Sequence, residues 1–212
     1  MESIADRESS TGDARRHFDA THEAREDPWG ATSRWYELRK RAVLLASLPD
    51  ERYGTALELG CSVGVLTGEL ALRSDAVVGV DLSERAVERA RARLQGRDNV
   101  TLEQRDMVES FPAAPTSGFD LVVLSEVAYY LTPADLDRVV TRVDEVLAPG
   151  GTLVACHWRY AEGDFRQPAD AVHLRLAETS SWTRLVRHEE ADFVLEVFSR
   201  DDRSVATRTG LR

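Results

Sequence analysis

The segment from Ala56 to Asp81 leaves little freedom in how this chain can fold. Ala56-Leu57-Glu58-Leu59 is a short apolar run carrying an acid, Gly60-Cys61-Ser62-Val63-Gly64 is a turn of small residues, and Val65 to Leu72 reads as a helix. A second apolar run, Val78-Gly79-Val80, closes on Asp81. Strand, glycine turn, helix, strand, acid is the opening of a doubly wound α/β sheet, whose ligands bind beyond the carboxyl ends of the strands. The pattern therefore predicts a nucleoside site at those strand ends.

The spacing narrows the nucleoside. A dinucleotide turn needs small residues at G-x-G-x-x-G, because a pyrophosphate must lie against the backbone at the helix N-terminus. Counted from Gly60, those positions hold Gly60, Ser62 and Val65, and Val65 fails the test. What fits is acid-x-G-x-x-x-G, with Glu58, Gly60 and Gly64. Asp81, 23 residues past Glu58, falls where one carboxylate can accept from both hydroxyls of a ribose. A tight strand-to-helix turn with no ligand would use the same glycines.

The alternation continues along the chain. Strands are expected at 55–59, 76–80, 100–104, 119–124 and 151–156, with helices at 64–72, 83–94 and 133–147 between most of them. Ser83 marks one helix start, and Thr132-Pro133-Ala134-Asp135 another, with a Thr cap, Pro at the first position and an acid at the third. Pro149-Gly150-Gly151 reads as a helix stop feeding a strand. Gly163 to Gln167 reads as a loop, Pro168 to Thr179 as a helix, and Trp182–His188 and Phe193–Phe198 as two strands joined by Glu189 to Asp192. Upstream, Arg34 to Leu48 repeats apolar residues at Trp35, Leu38, Ala42, Leu45 and Leu48, with Ser33 placed to cap it. The expected fold is α/β: a doubly wound, mostly parallel seven-stranded sheet with a C-terminal antiparallel hairpin. Residues 1–27 read as a flexible segment able to act as a lid, loose to Arg16 with a short helix from His17; residues 28–200 read as the domain and 201–212 as a polar tail.

Composition sets the remaining bounds. A chain of 212 residues is one domain with at most a modest appendage. With 27 basic and 37 acidic side chains the net charge is −10, which argues against an extended phosphate-binding face and so against nucleic acid as a partner. Two thiols, Cys61 and Cys156, suggest a reducing compartment. No apolar stretch approaches the roughly 18 residues needed to span a bilayer, and no signal-peptide core is present. These features predict a cytoplasmic protein with no membrane partner; a small-molecule substrate and a monomer or homodimer are the accompanying expectations, which composition itself does not fix. His17, His22 and His188 lack the spacing of a metal site, and no metal is expected.

Four segments carry a family resemblance: Asp27-Pro28-Trp29 before the first long helix, Leu57-Glu58-Leu59-Gly60-Cys61 at the glycine turn, Ser125-Glu126-Val127-Ala128-Tyr129-Tyr130-Leu131 after the fourth strand, and Leu147-Ala148-Pro149-Gly150-Gly151. On these residues the chain resembles a class I S-adenosylmethionine (SAM) methyltransferase over about residues 28 to 200. Within that class it is similar to the NodS-like family, named for a rhizobial enzyme that N-methylates an amino sugar at the end of a chitooligosaccharide. The fourth segment is shared across the class; the first three together are specific to the family. Ser62 stands where a middle glycine is common. Cys156-His157-Trp158-Arg159 departs from the rhizobial pattern, so the chitooligosaccharide itself is not carried over.

The resemblance implies a Rossmann-like fold, SAM as cofactor and S-adenosyl-L-homocysteine as product. It places Glu58, Gly60, Cys61, Ser62 and Gly64 against the methionine tail, and Asp81 with Leu82 at the ribose. Arg105, Asp106 and Met107 fall at the adenine, where Asp106 either accepts from the adenine amino group or caps a turn. Ser125 and Glu126 close the fourth strand, and Trp29 and Arg34 belong to the segment that would cover the cofactor. Glu126 can hold substrate, orient the methionine ammonium or accept a proton; it can also be a salt-bridged surface acid. Tyr129, Tyr130, Trp158 and His173 are substrate candidates, with core packing the alternative for the first three and a surface position for His173. His157, just beyond the fifth strand, has the ordinary pKa of a general base, or is a hydrogen-bonded structural histidine. The activity expected is N-methylation of a small amine, an amino sugar or specialised metabolite, with His157 or Glu126 taking the proton. O-methylation and a non-catalytic SAM-binding module are the competing readings.

Overall fold

A computed structural model describes residues 4–160, 163–179 and 181–212. Seven strands form one sheet: β1 (Tyr53–Leu59), β2 (Ser74–Asp81), β3 (Val100–Gln104), β4 (Phe119–Ser125), β5 (Leu147–Trp158), β6 (Thr183–Glu189) and β7 (Phe193–Ser199), in the order β3-β2-β1-β4-β5-β7-β6. The first five are parallel, and β7 pairs antiparallel with both β5 and β6. The expected doubly wound sheet with its C-terminal hairpin is what forms. Strand order runs outward from β1 to β3, then restarts on the other side at β4. The crevice at that reversal lies beyond the carboxyl ends of β1 and β4.

Helices cover both faces: α1 (Ile4–Ala24), α2 (Trp35–Ser47), α3 (Val65–Leu70), α4 (Glu84–Arg93), α5 (Pro133–Val146), α6 (Ala169–Ala177) and a short α7 (Val205–Arg208). Strand alternation divides the core in two. Val122 and Leu124 pack with Leu136, Val139, Val140 and Val143 of α5 and Val172 and Leu176 of α6. Leu121 and Val123 pack on the opposite face with Leu44 and Leu48 from α2 and its end, and Leu70 of α3. Each fully buried aliphatic side chain of this kind contributes roughly 1.5–3 kcal/mol. The helix starts behave as their residues dictate: Ser83 accepts from the Ala86 N–H, and Thr132 from the Asp135 N–H with Pro133 following.

Five expectations need correction. The stretch to Arg16 was expected to be loose, yet α1 is regular over Ile4–Ala24; residues 1–3 lie outside the described residues. Its C-terminal half is held by long-range contacts: the Ser83 hydroxyl donates to Asp19 at 2.6 Å, and Phe18 packs edge-on against Tyr130. In α2 the buried residues are Lys40 and Leu44, while Trp35 is 76% exposed and Ala42 is exposed, so the expected apolar stripe is rotated. Arg34, not Ser33, occupies the cap position, with no side-chain cap bond. Pro149-Gly150 does not precede the fifth strand but forms an irregularity inside β5, where pairing slips between Phe119 and Leu121. Finally, part of the polar tail is helical, and Arg208 of α7 reaches Asp50 at 3.0 Å. No helix among the described residues is long and apolar enough to cross a membrane.

Candidate active site

A cavity of about 950 Å³ opens at the carboxyl ends of β1, β2, β4 and β5, roofed by α1, α2 and the 163–166 loop. Its floor begins at the glycine turn. Gly60 (φ 80°), Ser62 (φ 48°) and Gly64 (φ 75°) are all left-handed. A Cβ on Gly60 would stand 2.7 Å from a Val127 methyl, so the turn and the β4 loop approach at a distance only glycine permits. Ser62 keeps its strained backbone because its N–H donates to Asp81 Oδ2 at 2.8 Å; the Ser83 N–H donates to Oδ1 at 2.9 Å. Burial pushes the Asp81 carboxyl up, and those N–H groups oppose the shift. Glu58, beneath the turn, is pushed up to about 8 by burial, with the Thr67 hydroxyl at 2.5 Å working against the rise. Asp106 Oδ1 accepts from Val108 and Glu109 N–H, so it does cap a turn while lining the cavity.

The second pole lies at the end of β4. Glu126, the other non-glycine residue with a left-handed backbone among those described, has φ 56°. Its Oε2 accepts from the Tyr129 hydroxyl at 2.7 Å and the Trp158 N–H at 3.1 Å. Its Oε1 lies 2.9 Å from Lys40 Nζ, an ion pair set off the hydrogen-bonding direction. Lys40 also pairs with Glu37 at 3.0 Å and sits over the Tyr36 ring at 5.0 Å. Burial alone would lower the Lys40 pKa, but the carboxylates of Glu126 and Glu37 outweigh it and hold the ammonium above its ordinary value. Backbone strain of this kind clusters at functional sites because the surrounding contacts must enforce it.

The histidine assignments change. His157 is fully buried and does not line the cavity. β5 runs to Trp158, so alternation sends Cys156 and Trp158 toward the cavity side and His157 to the other face. There its Nε2 lies 3.2 Å from the Ala128 N–H, and its Nδ1 3.1 Å from His173 Nε2. A ring whose Nε2 accepts from an amide has no lone pair to offer substrate. His157 is therefore not the base, and burial pushes its pKa well below the ordinary range. His173, expected at the substrate or on the surface, is buried behind it, 2.8 Å from Glu196.

Most other predicted residues converge on the cavity: Trp29, Arg34, Glu58, Gly60, Cys61, Ser62, Asp81, Leu82, Arg105, Asp106, Met107, Ser125, Glu126, Tyr129, Tyr130 and Trp158. Gly64 does not; it serves close packing on Ala90 of α4. Tyr129 was a candidate for either core or pocket and serves both, buried yet bonded to Glu126, with Phe165 stacked on it at 3.8 Å. Sequence reading missed Tyr36, Glu37, Lys40 and His22. The available signal was Lys40 falling four residues from both Tyr36 and Leu44, a cation on the inward face of a helix. His22 is buried against Trp29, its Nδ1 has no partner among the described residues, and burial lowers its pKa to about 4. No cluster of three or more metal-ligating side chains occurs among the described residues.

Residues 56–151 match the methyltransferase domain family. A solved structure from Pseudomonas syringae, described as a methyltransferase, is 45% identical, with a TM-score of 0.70 over 79% of this chain and 100% of that one. This chain belongs to the methyltransferases. The N-methyltransferase NodS from Bradyrhizobium japonicum WM9, solved with S-adenosyl-L-homocysteine, is 26% identical with a TM-score of 0.77, covering 87% of this chain and 97% of that one. Nodulation protein S of Rhizobium tropici is 34% identical over 133 residues, 62% of this chain. The methyltransferase matches only 55% of that relative's length, and 61% of the Bradyrhizobium diazoefficiens protein's. SAM is the family's methyl donor.

Proposed function

We propose that this methyltransferase moves the methyl group of SAM to the amine of a small, polar acceptor. One observation carries the reading: Glu126, in a strained left-handed conformation at the end of β4, presents a carboxylate held by Lys40, Tyr129 and Trp158 inside the cavity that also contains the glycine turn. The residues fit the cofactor. The left-handed turn keeps side chains off the backbone at Gly60, Asp81 is anchored by two N–H groups with lone pairs to spare, and His22 has an unsatisfied ring nitrogen at the wall. Glu58, Gly60 and Ser62 would hold the methionine tail, Asp81 and Leu82 the ribose, and Asp106 and Met107 the adenine.

When bound, SAM supplies an electrophilic methyl on a sulfonium that is already an activated leaving group. The protein's task is alignment and dehydration, and alignment of this kind supplies roughly 7–11 kcal/mol of a barrier. Glu126 can accept one N–H of an incoming amine and aim its lone pair, while Tyr129, Tyr130, Phe165 and Trp158 exclude water. An alcohol would need a stronger base. His157 is committed elsewhere, and His22 at about 4 is too weak, which favours nitrogen over oxygen as the acceptor. An amino sugar or a specialised metabolite amine suits a wall that mixes aromatic rings with Glu126, Glu37 and Lys40.

Calorimetry with SAM and with NAD tests the cofactor, and S-adenosylhomocysteine release over matched panels of amines and alcohols tests the acceptor. Glu126→Gln should lower kcat about a hundredfold with cofactor affinity kept. Equal turnover of alcohols would move the activity to O-methylation, and tight SAM binding without turnover on any acceptor would leave a binding module.

A further inference from the structure

Behind the cavity lies a line of buried polar groups that the reaction does not use: Ala128 N–H, His157, His173 and Glu196, each 0–1% exposed. Their hydrogen-bond polarity has one solution. A backbone N–H can only donate, so His157 Nε2 must carry a lone pair and, in a neutral ring, Nδ1 the proton. That proton points at His173 Nε2, 3.1 Å away, which must then accept, leaving the His173 proton on Nδ1 facing Glu196 Oε2 at 2.8 Å. Glu196 ends the line as a pure acceptor because Arg184 and Arg187 donate to its Oε1 at 2.9 and 2.8 Å.

We infer that His157 and His173 form a buried tautomer relay that positions the Ala128 amide, and through it Glu126 and Tyr129, for the acceptor. The inference rests on the proposed reading that Glu126 meets the acceptor. Ala128 opens the single 3-10 turn (Ala128–Tyr130) that follows Glu126, and Tyr129 in that turn donates to the Glu126 carboxylate. The Tyr129 ring also packs edge-on against His157 at 5.4 Å, so one imidazole braces both the amide and the phenol. With its acceptor gone, the buried Ala128 N–H would have to turn toward water, carrying the strained Glu126 backbone with it. The charged groups around the line are Glu196, Arg184 and Arg187 at its outer end and, more weakly, Lys40 acting on His157 from the cavity side. His157 and His173 are thus positioning residues. They shuttle no proton, since a relay whose every donor is fixed by its neighbour has no vacancy to pass one along.

The test combines a spectroscopic signature with kinetics. In the wild-type protein labelled with ¹⁵N-histidine, long-range proton–nitrogen correlation under the assay conditions should find the neutral form of both rings protonated at Nδ1. A neutral Nε2–H form of either ring overturns the relay. His157→Leu should cut kcat about tenfold while SAM affinity by calorimetry stays within about twofold, and His157→Gln, whose Oε1 can stand where Nε2 stood, should recover most of the loss. Wild-type kcat in the Leu variant refutes the positioning role. Should that variant not fold, Glu196→Gln decides: its amide turns a donor toward His173, so both tautomers should invert and kcat fall about tenfold, and unchanged tautomers or unchanged kcat refute it. Absence of turnover on any amine by the wild-type protein would instead sink the proposed acceptor class, with the tautomer pattern and SAM binding still readable.

Discussion

Replacing Lys40 by Met removes one positive charge from between two carboxylates while keeping most of the stem's volume. Lys40 is 6% exposed, with Glu126 at 2.9 Å and Glu37 at 3.0 Å. At an effective dielectric near 20, each such pair attracts by about 6 kcal/mol before desolvation is subtracted. Breaking a buried pair by deleting one partner costs about 3–5 kcal/mol, because the surviving charge is left uncompensated. The two carboxylate side chains keep 28% and 19% exposure, so water relieves part of the strain and the lower end applies, about 3 kcal/mol. For a domain of this size that lowers Tm by about 6–12 °C. Urea unfolding and calorimetry at neutral pH measure it directly. The double variant Lys40→Met with Glu126→Gln removes one of the two orphaned charges, so it should recover about half of the loss, a coupling that a double-mutant cycle reads. A loss below about 1 kcal/mol, or strictly additive single and double variants, would refute the reasoning. The sign with pH follows from the raised Lys40 pKa: its contribution is complete below the ordinary 10.5 and is lost as pH climbs through the higher folded value.

Glu58, pushed up to about 8, stabilises the ligand-free protein below pH 4.5 and loses that contribution as pH rises through 8; Glu58→Gln should flatten the decline in urea titrations and abolish the pH dependence of SAM binding, and an unaltered slope would count against the assignment. His22 has the opposite sense: lowered from 6.5 to about 4, it contributes stability above 6.5 that is lost as pH falls toward 4, by no more than about 3 kcal/mol. His22→Gln should remove that acid slope, measured by thermal unfolding between those values. Gly64→Ala adds a Cβ 2.9 Å from the Ala90 methyl and 3.2 Å from its Cα at φ 75°, whereas Gly96→Ala meets open space at φ 84°. Both incur the left-handed strain of about 1–2 kcal/mol, and only the first must also displace α4; equal losses in the two variants would show that the close packing is not felt.

The features legible in the sequence are those whose causes are local. Strand β1, the glycine turn, α3 and Asp81 follow one another within 29 residues, from Tyr53 to Asp81, and small residues at a left-handed turn declare themselves without reference to anything distant. The Thr132 cap and the terminal hairpin are local in the same sense. The acids at Glu58, Asp81, Asp106 and Glu126 were legible because each lies within two residues of a strand's end, and parallel strands deliver their carboxyl ends to one crevice.

What tertiary structure decided is everything that depends on a partner far along the chain or on a single residue of register. α1 has too little apolar patterning to declare itself; its side chains meet Ser83, Tyr130 and Asp164 only after the sheet is built. Lys40 looks like a solvent-facing lysine until Glu126, 86 positions on, is folded against it. His157 turned on two residues of strand: ending β5 at Cys156 frees the histidine for the crevice, while continuing to Trp158 sends it to the opposite face, where His173 and Glu196 wait from α6 and β7. A chain can state its own turns, because steric limits act between neighbours. It cannot state which of its buried charges and imidazoles will meet, since only burial makes such a meeting necessary.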